Sequence, residues 1–130
     1  MAIDYKVIEK GQPGVVGGGE KKFYAQIVYG KEVTVDELVK EIEKFSALSE
    51  ADIRGVIVAL ENVIQDKLAQ SRIIRLEKLG SLYPAISSKG EEKEKDVDAE
   101  TIRKASVNYR PGKRILETLK AAGFSKVKEK

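Results

Sequence analysis

Residues 49–82, SEADIRGVIVALENVIQDKLAQSRIIRLEKLGSL, decide the fold, because they predict a long capped helix that leads into a β-hairpin. Ser49 is a suitable N-cap, since its hydroxyl can accept a hydrogen bond from an unpaired amide of the first turn, and Asp52 stands where the reciprocal acid belongs. Beyond them, apolar residues recur at spacings of three and four and therefore line one side of the helix. These residues are Ile53, Val56, Ile57, Leu60, Ile64 and Leu68.

The apolar surface of this helix is wider than one packing partner covers. Val58 and Val63 lie outside the stripe, so the helix must be covered on more than one side. A chain of 130 residues has few elements to do so. We therefore expect the protein to dimerise.

The second part of the stretch has the pattern of a hairpin. Apolar and charged side chains alternate over residues 72–78, which is typical of a strand with two different faces. Gly80 can adopt a positive φ, so we predict a turn over residues 79–81 and a returning strand over residues 82–88.

A shorter helix is predicted before the long one. Thr34, followed by Glu37, is typical of a capping box. The pair of helices has the connectivity of a helix-turn-helix motif, but residues 34–72 carry a net charge of −3, which phosphates would repel. We interpret the two helices as a scaffold. The inner face of the shorter helix is predicted to comprise Leu38, Ile42 and Phe45.

The N-terminal segment predicts two strands, over residues 3–9 and 23–29, joined by a flexible loop. The strands could form a hairpin, or each could pair with the edge of the main sheet. The glycines at 17–19 are not followed by Gly-Lys-Ser/Thr or by a helix start, so a plain connection is favoured over a phosphate-binding loop.

The C-terminal part begins with a charged run over residues 87–105, which we predict to be exposed and mobile. Strand character returns at Val107, and Pro111 suits the first turn of a final helix. Gly123 is a natural stop for that helix, and the basic tail after it is expected to fray. The inner face of the final helix is predicted to comprise Ile115, Leu116 and Leu119.

Composition excludes several classes of function. The chain has no cysteine and no histidine, so disulfides, thiolate chemistry and the usual general base are absent. Its carboxylates lie in solvated runs, and we predict neither an enzyme nor a cofactor nor a small-molecule substrate. No apolar run is long enough for a membrane span, and we expect a cytoplasmic protein. The tyrosines are expected to pack on strand faces rather than to stack on single-stranded bases.

Charge is unevenly distributed along the chain. Residues 73–130 hold 14 Lys and Arg against nine Asp and Glu, a net charge of +5, whereas residues 1–33 carry +1. A basic C-terminal part favours a polyanionic partner such as nucleic acid, although a solvated surface has the same composition.

The order of these elements, together with three short motifs, resembles the bacterial histone-like HU and integration-host-factor family. Leu48-Ser49-Glu50-Ala51-Asp52 is similar to the family's opening of its second helix, and Lys78-Leu79-Gly80-Ser81-Leu82 is similar to its hairpin turn. Tyr109-Arg110-Pro111-Gly112-Lys113 resembles the segment that precedes its last helix. The resemblance covers about residues 34–124. The extra N-terminal strands are similar to an HU-related branch of candidate DNA-binding proteins from Bacteroides-type bacteria.

The resemblance implies an α+β fold and an intertwined homodimer with a helical base. A three-stranded antiparallel sheet from each subunit would form a saddle, and a β-ribbon arm, at about residues 88–106, would lie in the minor groove of DNA. Residues 34–130 would form the DNA-binding domain and residues 1–33 a strand extension. The sequence departs from the family at the arm, because residues 89–104 carry a net charge of −1 and lack the proline that wedges between base steps.

The function implied is non-catalytic, architectural binding of double-stranded DNA in the nucleoid, with little sequence specificity. Arg110 and Lys113 flank the start of the last helix, where free amides and the helix dipole favour anions. An alternative function is that of a dimeric interaction module that has lost DNA binding and uses its N-terminal strands for protein contacts. The residues predicted to contact DNA are Arg110, Lys113, Arg75, Lys78, Arg103, Lys104 and Lys89.

Overall fold

A computed structural model describes residues 1–128, which contain three α-helices and six β-strands. The helices are α1 (Val35–Lys44), α2 (Glu50–Ala69) and α3 (Lys113–Ala122). The strands are β1 (Ile3–Lys10), β2 (Lys22–Ile27), β3 (Ile74–Arg75), β4 (Gly80–Ser88), β5 (Ile102–Pro111) and β6 (Phe124–Lys126). The chain divides into two units, which we call the helix–sheet unit (Val33–Ile115) and the N-terminal sheet unit (Met1–Glu32 with the segment from Leu116 onward).

Both helices of the helix–sheet unit begin as the sequence predicts. The amide of Asp52 donates to the Ser49 hydroxyl at 3.2 Å, and the Ser49 amide donates to the Asp52 carboxylate at 3.4 Å, which completes the capping box of α2. At the start of α1, the amide of Glu37 donates to the Thr34 hydroxyl at 3.3 Å. These bonds satisfy amides that a helix leaves unpaired in its first turn.

The core of this unit lies between α1 and α2, where Val39 and Ile53 are 1% and 3% exposed. They are the only buried apolar side chains in the described part of the chain. The predicted inner face of α1 is wrong for this single chain, because α1 turns its Val39 side toward α2. It leaves exposed Leu38, Ile42 and Phe45.

The sheet of this unit has the strand order β3-β4-β5, and both pairings are antiparallel. The predicted hairpin is therefore confirmed, but its turn lies earlier than predicted. Strand β3 ends at Arg75, a single 3-10 turn occupies Glu77–Leu79, and Gly80 already pairs within β4 with φ of 119°. The Tyr109 hydroxyl anchors this turn to β5 by donating to the Leu79 carbonyl at 2.6 Å.

The strand β5 begins at Ile102, five residues before the predicted start, because β4 continues to Ser88 and pairs with it along most of its length. The intervening residues 89–101 are exposed apart from a half-buried Thr101 and contain two short 3-10 turns. Pro111 is the last residue of β5 and pairs with Gly80, so its predicted place in the first turn of α3 is wrong.

The N-terminal sheet unit has the strand order β2-β1-β6. Strands β1 and β2 form an antiparallel hairpin, the first of the two predicted alternatives. Gly123, with φ of 71°, ends α3 as predicted. The chain then runs parallel to β1, and the Val127 amide donates to the Tyr5 carbonyl at 2.8 Å. The predicted fraying is therefore wrong up to Val127, while Glu129 and Lys130 lie outside the described residues.

Candidate nucleic-acid interface

The strand register of the β3-β4-β5 sheet gives it two chemically different faces, because partners across an antiparallel sheet point to the same side. One face holds apolar side chains such as Leu82, which pairs with Ile74 and Tyr109. On the opposite face, which we call the polar strand face, none of the strand residues is acidic. Its members are Arg75, Ser81, Tyr83, Ala85, Ser87, Lys104, Ser106, Asn108 and Arg110.

Two predicted residues meet at one end of the polar strand face, where β4 begins. Arg75 and Arg110 both pair with Ser81, from opposite sides of β4. The Arg75 guanidinium donates to the Ser81 hydroxyl at 3.3 Å and to the Tyr83 hydroxyl at 3.4 Å. The guanidinium carbons of Arg110 and Arg75 lie 4.4 Å and 5.9 Å from the centre of the Tyr83 ring, within the range of cation–π attraction. Tyr83 thus holds two positive charges on one surface.

The two arginines change the acidity of the tyrosine between them. The hydrogen bond from Arg75 lowers the pKa of the Tyr83 phenol, the positive charges of Arg75 and Arg110 act in the same direction, and partial desolvation opposes them. Cations at this distance favour the phenolate over the neutral phenol. The lowered pKa of Tyr83 therefore reports the positive potential that Arg75 and Arg110 create at this site.

We expect Arg75→Gln to raise the pKa of Tyr83 toward the ordinary tyrosine value of about 10, because the first cause of the shift is removed. NMR titration of the tyrosine ring carbons checks this, with Tyr83→Phe to assign the signal. Arg54→Gln is the matched control, since Arg54 pairs with Asp36 on the helices. The pKa of Tyr83 in the folded protein lies below its value in the unfolded chain. Ionisation of Tyr83 therefore raises the free energy of unfolding as pH rises through the lowered pKa, and this contribution is complete above pH of about 10. An unchanged Tyr83 titration in Arg75→Gln would contradict the assignment.

The other predicted residues are distributed around this pair. Lys104 lies on the same face, where it pairs with Ser87 further along the β4–β5 ribbon. Arg103 falls at the irregularity where the register shifts between Ser87 and Ser88 and has no register partner. Lys89 follows β4, and its amine lies 3.4 Å from the Glu91 carboxylate. An exposed ion pair of this kind is weak.

The last two predicted residues lie near the sheet's turn and the start of a helix. Lys78 is in the 3-10 turn before β4, and Lys113 is the first residue of α3.

Sequence reasoning assigned no binding role to Ser81, Tyr83 or Asn108. Alternation places Ser81 and Tyr83 on one face of β4, and Asn108 and Arg110 on one face of β5. The pairing of β3, β4 and β5 is needed to bring these residues and Arg75 to the same surface. Strand-face packing was predicted for the tyrosines, and Tyr83 and Tyr109 occupy opposite faces of this sheet.

Across residues 1–128, no group of three or more Asp or Glu side chains is close enough to hold a metal ion. Over the same range, no helix has both the length and the apolar character needed to cross a bilayer.

The two packed helices, followed by a three-stranded antiparallel sheet and a final helix, define an HU-like α+β domain. The chain belongs to the HU-HIG family, described as an HU domain fused to a wHTH, Ig or glycine-rich motif, whose profile matches residues 1–126. The predicted resemblance to HU proteins is thereby confirmed.

Among solved structures, the fold is shared by the crystal structure of a candidate bacterial DNA-binding protein from Bacteroides vulgatus, with a TM-score of 0.70 and 15% sequence identity. The match covers 99% of this chain and 50% of the other, so the chain spans half the length of that protein. No curated protein matches this chain significantly.

Proposed function

We propose that this protein binds double-stranded DNA with little sequence specificity, as a homodimer, through the polar strand face. The observation that carries the proposal is the pair of guanidinium groups held around Tyr83 on a sheet surface whose strand residues include no carboxylate. Membership in the HU-HIG family and the description of the Bacteroides vulgatus structure support the same partner.

The chemistry of the polar strand face fits phosphate better than bases. Guanidinium groups present several donors in a plane and match phosphate oxygens, and Tyr83 limits their rotational freedom before DNA arrives. A sheet does not insert a recognition helix into the major groove, and contacts to the DNA backbone carry no direct sequence information. We therefore propose an architectural role in the nucleoid of the cytoplasm.

The arm has a smaller part in this proposal than in the HU family pattern. Residues 89–101 hold three Lys against six Asp and Glu, so they gain little from release of DNA counterions. Lys104, at the arm's base, is then the outermost member of the polar strand face, and Arg103 and Lys89 contribute less. Lys78 and Lys113 add positive charge near the turn and near the start of α3.

Dimerisation is supported by the apolar surface that the helix–sheet unit leaves open. Val56 and Val63 on α2 are 59% and 54% exposed, and Phe45 at the end of α1 is 89% exposed. An open pocket of about 540 Å³ lies between the C-terminal end of α2 and β4 and β5, lined by Leu68, Pro84 and Val107 among others. Exposed apolar side chains of this kind are typical of protein–protein interfaces and therefore support dimerisation.

The test is fluorescence anisotropy with a duplex of arbitrary sequence at several salt concentrations, with the mass in solution measured alongside. At low protein concentration we expect a dimer whose affinity for DNA is indifferent to sequence and falls steeply with salt, since the slope of log K against log salt is about −0.9 per neutralised phosphate. A dimer without binding at low salt would refute DNA binding. It would favour the alternative function of an interaction module, which the acidic loop 89–101 and the N-terminal sheet unit support.

A further inference from the structure

The N-terminal sheet unit has one markedly apolar face. In the register of β1 with β2 and β6, alternate positions place apolar side chains on the same side of the sheet. Phe23 and Phe124 on this side are 71% and 73% exposed, and Ile27 is 46% exposed. We call this surface the N-terminal apolar face; its large members are Ile3, Tyr5, Val7, Phe23, Ile27 and Phe124.

The opposite face of the same sheet is mostly polar, although it also holds the half-buried Ile8, which pairs with Tyr24. It holds Asp4, Lys6 and Gln26, and the Lys10 amine lies 5.0 Å from the centre of the Tyr24 ring. A sheet with one polar and one apolar face is built to cover the apolar one. Exposed apolar side chains that follow one face of a regular sheet, with Phe23 at one end and Phe124 at the other, therefore indicate an interface rather than scattered exposure.

Two charged residues lie at different positions on the N-terminal apolar face. Glu9 pairs with Phe23 at one end of the sheet, and Lys126 lies beside Tyr5 toward the other end. When two copies stack face to face with β1 strands running in opposite directions, the Glu9 end of each copy approaches the Lys126 end of the other. With the strands running in the same direction, each Glu9 would instead approach its like-charged counterpart. The charge pattern is thus complementary to itself in one orientation.

We propose that the N-terminal apolar face packs against the same face of a second copy of this chain, in that opposed orientation. The face buries its phenylalanines in the interface, and two Glu9–Lys126 pairs at its rim set the orientation. This contact uses the N-terminal sheet unit, whereas the proposed dimer forms through the helix–sheet unit. A chain with both surfaces therefore joins dimers into larger assemblies. The contact does not depend on DNA binding.

A charge-exchange experiment tests the proposal. The mass in solution is measured over a range of protein concentrations for wild type, Glu9→Lys, Lys126→Glu and the double variant. We expect each single reversal to weaken assembly beyond the dimer by about tenfold or more, since like charges then meet at the interface. The double variant should recover wild-type association. The matched controls Asp4→Lys and Lys6→Glu make the same charge changes on the opposite face and should leave the mass unchanged.

Phe23→Glu provides a second, independent reading of the same contact. This variant should have the mass of the dimer that forms through the helix–sheet unit. At protein concentrations too low for further assembly, it should bind a DNA duplex with the affinity of wild type. The proposal is overturned if wild type has the same mass as Phe23→Glu at every concentration. It is also overturned if the folded double variant fails to recover association, because Glu9 and Lys126 would then not pair across the contact.

Discussion

Replacing Arg75 and Arg110 together by alanine should weaken binding to a DNA duplex by about two orders of magnitude. A hydrogen bond to a charged group contributes about 1.5–3 kcal/mol, and 1.4 kcal/mol corresponds to about tenfold in affinity. Both side chains are held against Tyr83 on the polar strand face, so their loss is not compensated by a neighbouring cation at the same position. The slope of log K against log salt should fall by about 0.9 for each lost phosphate contact.

Anisotropy titrations at three or more salt concentrations measure both quantities. The matched control is Lys40→Ala with Lys44→Ala, which removes the same net charge from the exposed surface of α1. If binding depends on net charge alone, the two double variants will lose affinity equally. Equal losses, or an unchanged salt slope in the arginine variant, would contradict the assignment of DNA binding to the polar strand face.

The helices were predictable because their signals are local. The Ser49 and Asp52 capping box and the apolar spacing of α2 lie within one contiguous stretch, and the structure has both. The inner side of α1 was not predictable in the same way. Val39 and Leu38 are neighbours in sequence, and only the position of α2 decides which of them is buried.

Strand boundaries depended on pairing rather than composition. Residues 102–105 were predicted to be part of a charged run, yet they form a strand because β4 offers them a partner up to Ser88. The basic tail was predicted to fray, but Phe124–Lys126 pairs with the edge of β1. Both errors have the same cause, because hydrogen bonds between distant segments cannot be predicted from the sequence of either segment alone.

The candidate interface was half predictable for the same reason. Arg75 and Arg110 were identified from charge and family motif, 35 positions apart in the sequence. Their meeting on Tyr83 follows from two registers that bring both residues to Ser81. Tyr83 has no distinguishing mark in the sequence, because a tyrosine in a strand is as suitable for packing as for supporting a guanidinium group.

Gly80→Ala should destabilise the protein by about 3 kcal/mol, which corresponds to roughly 10 °C in Tm. Gly80 has φ of 119°, and a β-carbon there would overlap the Arg110 carbonyl and lie 2.8 Å from the Gly112 amide nitrogen. The substitution must therefore move the backbone that carries Arg110, so DNA affinity should fall with stability. Thermal unfolding followed by circular dichroism measures the loss of stability.

Gly90→Ala is the control, because Gly90 lies in the exposed loop with nothing within 4 Å of an added β-carbon. The Tm of this variant should change little. Equal Tm values for the two variants would show that the close approach of β4 to the end of β5 does not constrain the fold.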